Sequence, residues 1–146
     1  MKKFANYKIL PEFELILECC KGKASPEDAI EMKKDELKHN LYNPTYNIIV
    51  DIQEFETLLT ITTTDSVSDF FNFLKGLDLK IKVAFLTAKP HQVVISEILK
   101  RLCNEYLSIE IEIFSTVDAA VRFLGFSADK IDLIYTEIAD LNRDTA

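Results

Sequence analysis

The sequence predicts an α/β domain with a mixed sheet of about five strands, and two patterns carry that prediction. Near the N-terminus, two strand-like runs are separated only by Pro11-Glu12, which indicates an antiparallel hairpin. Further along, three apolar runs alternate with segments of helical periodicity, and strands separated by helices form parallel sheets. We therefore expect the strands near Ile48–Ile52, Ile81–Leu86 and Ile109–Phe114 to run parallel.

The first predicted helix has clear start signals but little apolar surface. Ser25 has the position of an N-cap, Pro26 follows at the first helical position, and Asp28 completes a capping box. The apolar positions along the helix are few, namely Ala29, Ile30, Leu37 and Leu41. We expect this helix to lie on the surface, with the clusters Lys33-Lys34 and Lys38-His39 solvated.

The second and third helices are predicted from apolar spacing. In the segment that opens at Asp65-Ser66, Phe70 and Phe71 fit a buried stripe, Phe73 lies on its flank, and Gly76 ends the helix. These aromatic side chains suit a packed core, and a ligand or partner surface is the alternative. The third helix has its expected stripe at Ile95, Ile98, Leu99, Leu102 and Tyr106.

The last strand and the two helices after it complete the predicted order. Glu110 and Glu112 alternate with isoleucines, which is typical of an edge strand with its acids facing water. A capping box from Ser115 to Asp118 starts the fourth helix, and Gly125 ends it. Residues 127–146 then form an added helix, whose apolar positions are Ile131, Ile134, Ile138 and Leu141.

Composition and charge exclude several functional classes. The net charge of −7 makes nucleic acid and anionic membrane surfaces poor partners, and no segment approaches the ~20 apolar residues of a membrane span. Three glycines leave little room for a glycine-rich phosphate cradle, and no G-x-S-x-G motif is present. The three cysteines and two histidines give neither a disulfide framework nor a zinc ligand set. We expect a cytoplasmic protein without metal or cofactor.

Three stretches resemble the SpoIIAA-like branch of the STAS superfamily, the sulphate transporter and anti-sigma-factor antagonist domains. They are the Asp-ended strand NIIVDIQEFE, the strand and helix KVAFLTAKPHQVVISEILKRL, and the ending IEIFSTVDAAVRFLGF. The resemblance runs from about Tyr7 to Phe126. We take residues 1–126 as the domain, with 127–146 packed on it or on a partner chain. It implies a module that binds a protein or a small ligand and does no catalysis. Some relatives of this architecture bind apolar or lipid-like molecules.

One position departs from the family pattern. In the anti-sigma antagonists a phosphorylatable serine closely follows the Asp-ended strand, in an Asp-Ser pair that opens the next helix. Here a threonine-rich linker separates Asp51 from Asp65-Ser66. Because Ser66 and Asp69 have capping-box spacing, we interpret Ser66 as a helix cap, with a phosphorylation switch as the alternative.

Candidate binding residues follow from the expected sheet, because ligands of open parallel sheets bind beyond the carboxyl ends of the strands. This rim should hold Asp51, Gln53, Thr64, Asp65, Ser66, Lys89, His91 and Ser115. Asp51, Lys89 and His91 have the chemistry of an acid–base group, although no spacing in the sequence requires one.

The sequence thus favours a non-enzymatic protein-binding or regulatory module. A carrier of a small apolar or lipid-like ligand is the alternative, and a hydrolase using Asp51, Lys89 and His91 is a third hypothesis. Leu133 and Tyr135 widen the apolar band of the last helix, so a homodimer through that helix stands beside simple docking on the domain.

Overall fold

The computed structural model describes residues 3–56 and 61–146 of the chain, and for residues 61–66 it describes the backbone alone. The strands are β1 (Ala5–Leu10), β2 (Leu15–Cys20), β3 (Asn47–Asp51), β4 (Lys82–Leu86) and β5 (Glu110–Phe114). The helices are α1 (Pro26–Lys38), α2 (Ile61–Lys75), α3 (Pro90–Tyr106), α4 (Val117–Phe123) and α5 (Ile131–Arg143). Short 3₁₀ turns cover Pro11–Phe13 and Ala128–Lys130.

The strands form one five-stranded sheet in the order β1-β2-β3-β4-β5. β1 and β2 are antiparallel, whereas β3, β4 and β5 follow in parallel register, so the predicted mixed sheet is confirmed. The hairpin turn is a 3₁₀ turn that Glu14 closes in the left-handed region, with φ at 49°. β5 lies at the sheet edge, as its alternating acids predict.

Both faces of the sheet are covered, because successive side chains of a strand point to opposite faces. Ile48 and Val50 belong to one apolar cluster with residues of α2 and α3, on the face that also carries α1. Ile49 and Leu86 belong to a second cluster with residues of α4 and α5. The apolar runs of the central strands are therefore explained by burial on both sides.

Helix α1 corrects one prediction and confirms another. The capping box is present, with Ser25 Oγ accepting from the Asp28 N–H at 3.0 Å and Asp28 Oδ2 accepting from the Ser25 N–H at 2.7 Å. The helix does not simply lie on the surface, however, because Met32, Lys33 and Glu36 are buried. The prediction that Lys33 is solvated is wrong, since its ammonium is buried between α1 and the sheet, where it pairs with the Glu18 carboxylate.

The helix starts and one apolar stripe also differ from expectation. Helix α2 begins at Ile61, so Ser66 lies inside the helix and the N-cap prediction is wrong. Thr116, not Ser115, caps α4, and its Oγ1 accepts from the Ala119 N–H at 3.2 Å. Helix α3 is rotated from the predicted stripe, because Ile98 and Tyr106 are exposed. Its buried face holds Gln92, Ser96, Leu99 and Cys103.

A network of hydrogen bonds accounts for the rotation of α3. The Gln92 side chain donates to the carbonyls of Gln53 at 2.9 Å and Phe55 at 3.0 Å. Its Oε1 accepts from the N–H groups of Ala88 at 2.7 Å and Lys89 at 3.0 Å. These hydrogen bonds at both ends of the amide offset the cost of taking it out of water, so the helix can turn this polar residue inward.

Helix α5 docks on the domain through Ile134, Ile138 and Leu141, which are buried in the second cluster. Leu133 and Tyr135, on the two sides of this stripe, remain exposed. Among the described residues, no helix is long and apolar enough to cross a membrane.

Candidate functional site

A cavity of about 320 Å³ lies between the sheet and the helices α1, α2 and α3. Its floor is formed by strand residues that point to this face, among them Ile48, Val50, Val83, Phe85 and Ile111. Helical side chains cover it, including Met32, Val67, Phe70, Leu74, Ile95 and Leu99. Pockets of this size with mostly apolar walls are typical of sites for small molecules.

A cluster of three buried charged residues lies at this cavity, and we call Glu18, Lys33 and Glu36 the charged triad. Their exposed fractions are 3%, 3% and 1%. The Lys33 ammonium is 2.5 Å from Glu18 Oε2 and 3.3 Å from Glu36 Oε2. Glu18 and Lys33 lie on the cavity wall, so one part of the otherwise apolar site is strongly polar.

Burial and mutual repulsion set the protonation of the triad. Burial, and then the negative charge of Glu18, raise the pKa of Glu36 to about 9 despite the nearby ammonium. Burial alone would lower the pKa of Lys33, but attraction to the two glutamates outweighs it and the pKa is raised. Near neutral pH the triad therefore holds an ionised lysine and a protonated Glu36.

These three residues were not predicted as a buried cluster from the sequence, although one signal was available. Glu18 falls within the apolar run of β2, between Leu17 and Cys19. An alternating pattern assigns such a glutamate to water, but β2 is an interior strand with both faces covered, so Glu18 is buried. A carboxylate on an interior strand needs a buried cation nearby, and Lys33 of α1 supplies it.

The carboxylate of the predicted rim residue Asp51 makes hydrogen bonds within the fold. Its Oδ1 accepts from the backbone N–H and the side-chain Nε2 of Gln53, each at 3.1 Å. Its Oδ2 accepts from Asn142 Nδ2 at 3.3 Å, and the side chain is buried. Asp51 and Gln53 thus join the end of β3 to the end of α5.

The other predicted rim residues do not form one cluster with Asp51. Lys89 is exposed at the N-cap of α3, and His91 Nε2 lies 3.1 Å from the Phe55 carbonyl oxygen. Ser115 is exposed on the turn after β5. No hydrogen bond or ion pair in the described part of the chain joins Asp51 to Lys89 or His91. The side chains of Thr64, Asp65 and Ser66 lie outside the described residues.

Metal and thiol chemistry find little support in the described ranges 3–56 and 61–146. No group of three or more histidine, cysteine or acidic residues there has the arrangement of a metal site. Burial raises the pKa of the Cys19 thiol to about 12 and that of Cys103 to about 11. Because a thiolate is the reactive form, these cysteines act as small apolar side chains.

No protein-family model matches this chain, and no curated protein matches it. Among solved structures, the chain is similar to an uncharacterised protein of the DUF3478 family from Shewanella loihica PV-4, described as having a SpoIIAA-like fold. The two chains are 22% identical with a TM-score of 0.50, and the match covers 75% of this chain and 83% of the other. The predicted resemblance is confirmed at the level of architecture, and this chain has a SpoIIAA-like α/β fold.

Proposed function

We propose that this chain is a non-enzymatic module that holds a small apolar ligand between its sheet and the helices α1–α3. The observation that supports the proposal is the cavity of about 320 Å³, whose walls are apolar apart from a few groups such as those of Glu18 and Lys33. Packed cores contain few voids larger than a water molecule, so a space of this size is unusual for a core that serves stability alone.

The apolar lining also defines the class of ligand. Val83 and Ile111 from the sheet face Phe70 and Leu99 from the helices across the site. A ligand buried there gains free energy from the apolar area that leaves water, at roughly 25 cal/mol per Å². We therefore assign the site to a molecule with an alkyl chain or an apolar ring system, and the carrier hypothesis takes precedence over the protein-binding one.

Binding of the neutral dye Nile red tests this proposal. Val83→Phe places a larger side chain on the cavity floor, and Val93→Phe makes the same change at an exposed position of α3. We expect the first variant to weaken dye binding by at least about tenfold and to change stability by no more than about 1 kcal/mol. The second variant should bind as the wild type does.

Two results would overturn the carrier proposal. The first is absence of Nile red binding to the wild type. The second is a large loss of stability in Val83→Phe with unchanged dye binding, because a filled core has no room for the added ring.

A protein-binding regulatory role remains the second candidate, and one observation favours it. Val94 and Ile98 are exposed one turn apart on α3 and form an apolar strip. The predicted rim residues Lys89, His91 and Ser115 are exposed or half-exposed and are our candidates for contacts with such a partner. The two roles are compatible, because a ligand in the cavity would contact α3 from below and the exposed strip lies on the same helix.

A further inference from the structure

The charged triad is the feature of the cavity that a purely apolar ligand does not explain. Replacing a buried ion pair by apolar residues of similar size is often neutral or stabilising, so such a pair is weak evidence of a structural role. Glu18, Lys33 and Glu36 come from β2 and α1, and two of them are on the cavity wall. Their position suits the recognition of a ligand.

We propose that the charged triad binds the polar head of an amphipathic ligand, and that this head is a hydrogen-bond donor, an alcohol or an amine, on an alkyl chain. This inference rests on the proposed apolar ligand site. It adds the orientation of the ligand, with the chain among the apolar walls and the head at Glu18 and Lys33.

The balance of donors and acceptors selects a donating head. The two carboxyl groups present four oxygens with about eight lone pairs, whereas the triad has four donors, namely the three N–H groups of the Lys33 ammonium and the O–H of protonated Glu36. Glu18, whose side chain is buried on the cavity wall, therefore has lone pairs that its contact with the Lys33 ammonium does not fill. A buried acceptor without a partner costs free energy, and a ligand that supplies an O–H or N–H near the triad relieves that shortage of donors.

The charge of the triad argues against an anionic head. Two acids and one base sum to one negative charge when all are ionised, and to zero when Glu36 is protonated. A ligand carboxylate would add a further negative charge in an apolar site close to Glu18. An ammonium would instead take the place of the Glu36 proton in balancing the second carboxylate, and a hydroxyl would donate without changing the charge.

Competition among four ligands with the same alkyl chain tests the proposal. Dodecanol, dodecylamine, dodecanoate and dodecyl methyl ether are compared by their displacement of Nile red from the full chain. The ether accepts hydrogen bonds but donates none, so it is the matched control for the alcohol. We expect the alcohol or the amine to bind at least about tenfold more tightly than the ether and the carboxylate.

Variants locate the preference at the triad. A triple variant removes the three charges together, because removal of one partner would leave a buried charge unpaired. It combines Glu18→Leu, Lys33→Met and Glu36→Leu. We expect the ratio of affinities between alcohol and ether to fall to about one in this variant and to fall partly in Glu18→Gln. Lys34→Met, at an exposed position of α1, should keep the wild-type ratio.

The outcomes separate this inference from the proposed function. If none of the four compounds displaces the dye, the ligand site itself is wrong. If all four displace it equally, or dodecanoate does so best, the apolar site stands and the donor-binding role of the triad is wrong. A preference that persists in both the triple variant and Glu18→Gln also contradicts that role.

Discussion

Glu36 couples the stability of this protein to pH. Its folded-state pKa of about 9 lies above the ordinary value of 4.5 for an exposed glutamate. As the pH rises, Glu36 loses its proton in the unfolded chain first, while in the folded chain it stays protonated. Deprotonation therefore stabilises the unfolded chain relative to the folded one between these two pKa values. The stabilising contribution of Glu36 is therefore fully present below about pH 4.5 and is lost as the pH approaches about 9.

We predict that Glu36→Gln removes this pH dependence, because the amide stays neutral throughout. Urea unfolding between about pH 5 and about pH 9 measures the change in the free energy of unfolding. The wild type should lose stability relative to Glu36→Gln as the pH rises, and the gap should be largest at the alkaline end. Glu31→Gln, exposed on the same helix, is the control and should follow the wild type. Parallel curves for wild type and Glu36→Gln would show that Glu36 does not keep its proton.

The burial of the charged triad could not be predicted from the sequence, whereas other features of single residues could. Ser25 and Asp28 are predictable because a capping box is a local signal of fixed spacing. Lys33 has no such signal, since its burial depends on a glutamate from a distant strand. A lysine among acidic residues on a thin apolar stripe has the pattern of a solvated position until the sheet is known.

At the scale of elements, the strands were predictable and the orientation of the helices was only partly so. Apolar runs such as that of β3 define a buried strand without knowledge of its neighbours. The buried face of α3 instead depends on bonds from Gln92 to Gln53 and Phe55, in a loop that precedes α2. Periodicity of apolar residues cannot report a polar side chain that is turned inward by such contacts.

The C-terminal end of α5 is held at the carboxyl edge of the sheet by polar contacts. The Lys21 ammonium donates to the carbonyls of Asn142 at 3.0 Å and Thr145 at 3.3 Å, which places a cation where the helix dipole is negative. The Asn142 side chain donates to Asp51 Oδ2 at 3.3 Å. Asp51 at the end of β3, which the sequence predicts as a binding residue, therefore also anchors the end of α5.

We predict that Asn142→Ala destabilises the protein by about 1–3 kcal/mol, because it removes a hydrogen bond from the buried Asp51 carboxylate. Hydrogen exchange should show the greatest increase in α5. Asn104→Ala is the matched control, since Asn104 accepts from the Ile111 N–H at 3.0 Å at the other side of the molecule. That variant should increase exchange in α3 and β5 and leave α5 unchanged. Equal exchange in α5 for Asn142→Ala and wild type would mean that the anchor is not energetically important.

On the scale of the whole molecule, the two faces of the sheet are packed differently. On the face under α4 and α5, Leu15, Leu17, Ile49 and Leu86 are fully buried. The cavity lies on the face under α1–α3. The order of strands and helices along the sequence predicts the sheet. It does not predict which face holds the cavity, because that depends on how side chains from separate helices pack together.

The homodimer predicted through α5 would have to form on the flanks of this helix, because its central stripe is already buried in its own domain. Leu133 and Tyr135 are 54% and 59% exposed and provide those flanks. Removal of residues 127–146 is a poor test, since α5 packs on β2 and its loss would uncover core residues of that strand such as Leu17. The double variant Leu133→Lys with Tyr135→Lys leaves the docked stripe intact. In sedimentation equilibrium the wild type should have twice the mass of one chain and the double variant the mass of one chain, with equal thermal stability at low concentration. A wild type that stays monomeric at high concentration would show that α5 serves its own domain alone.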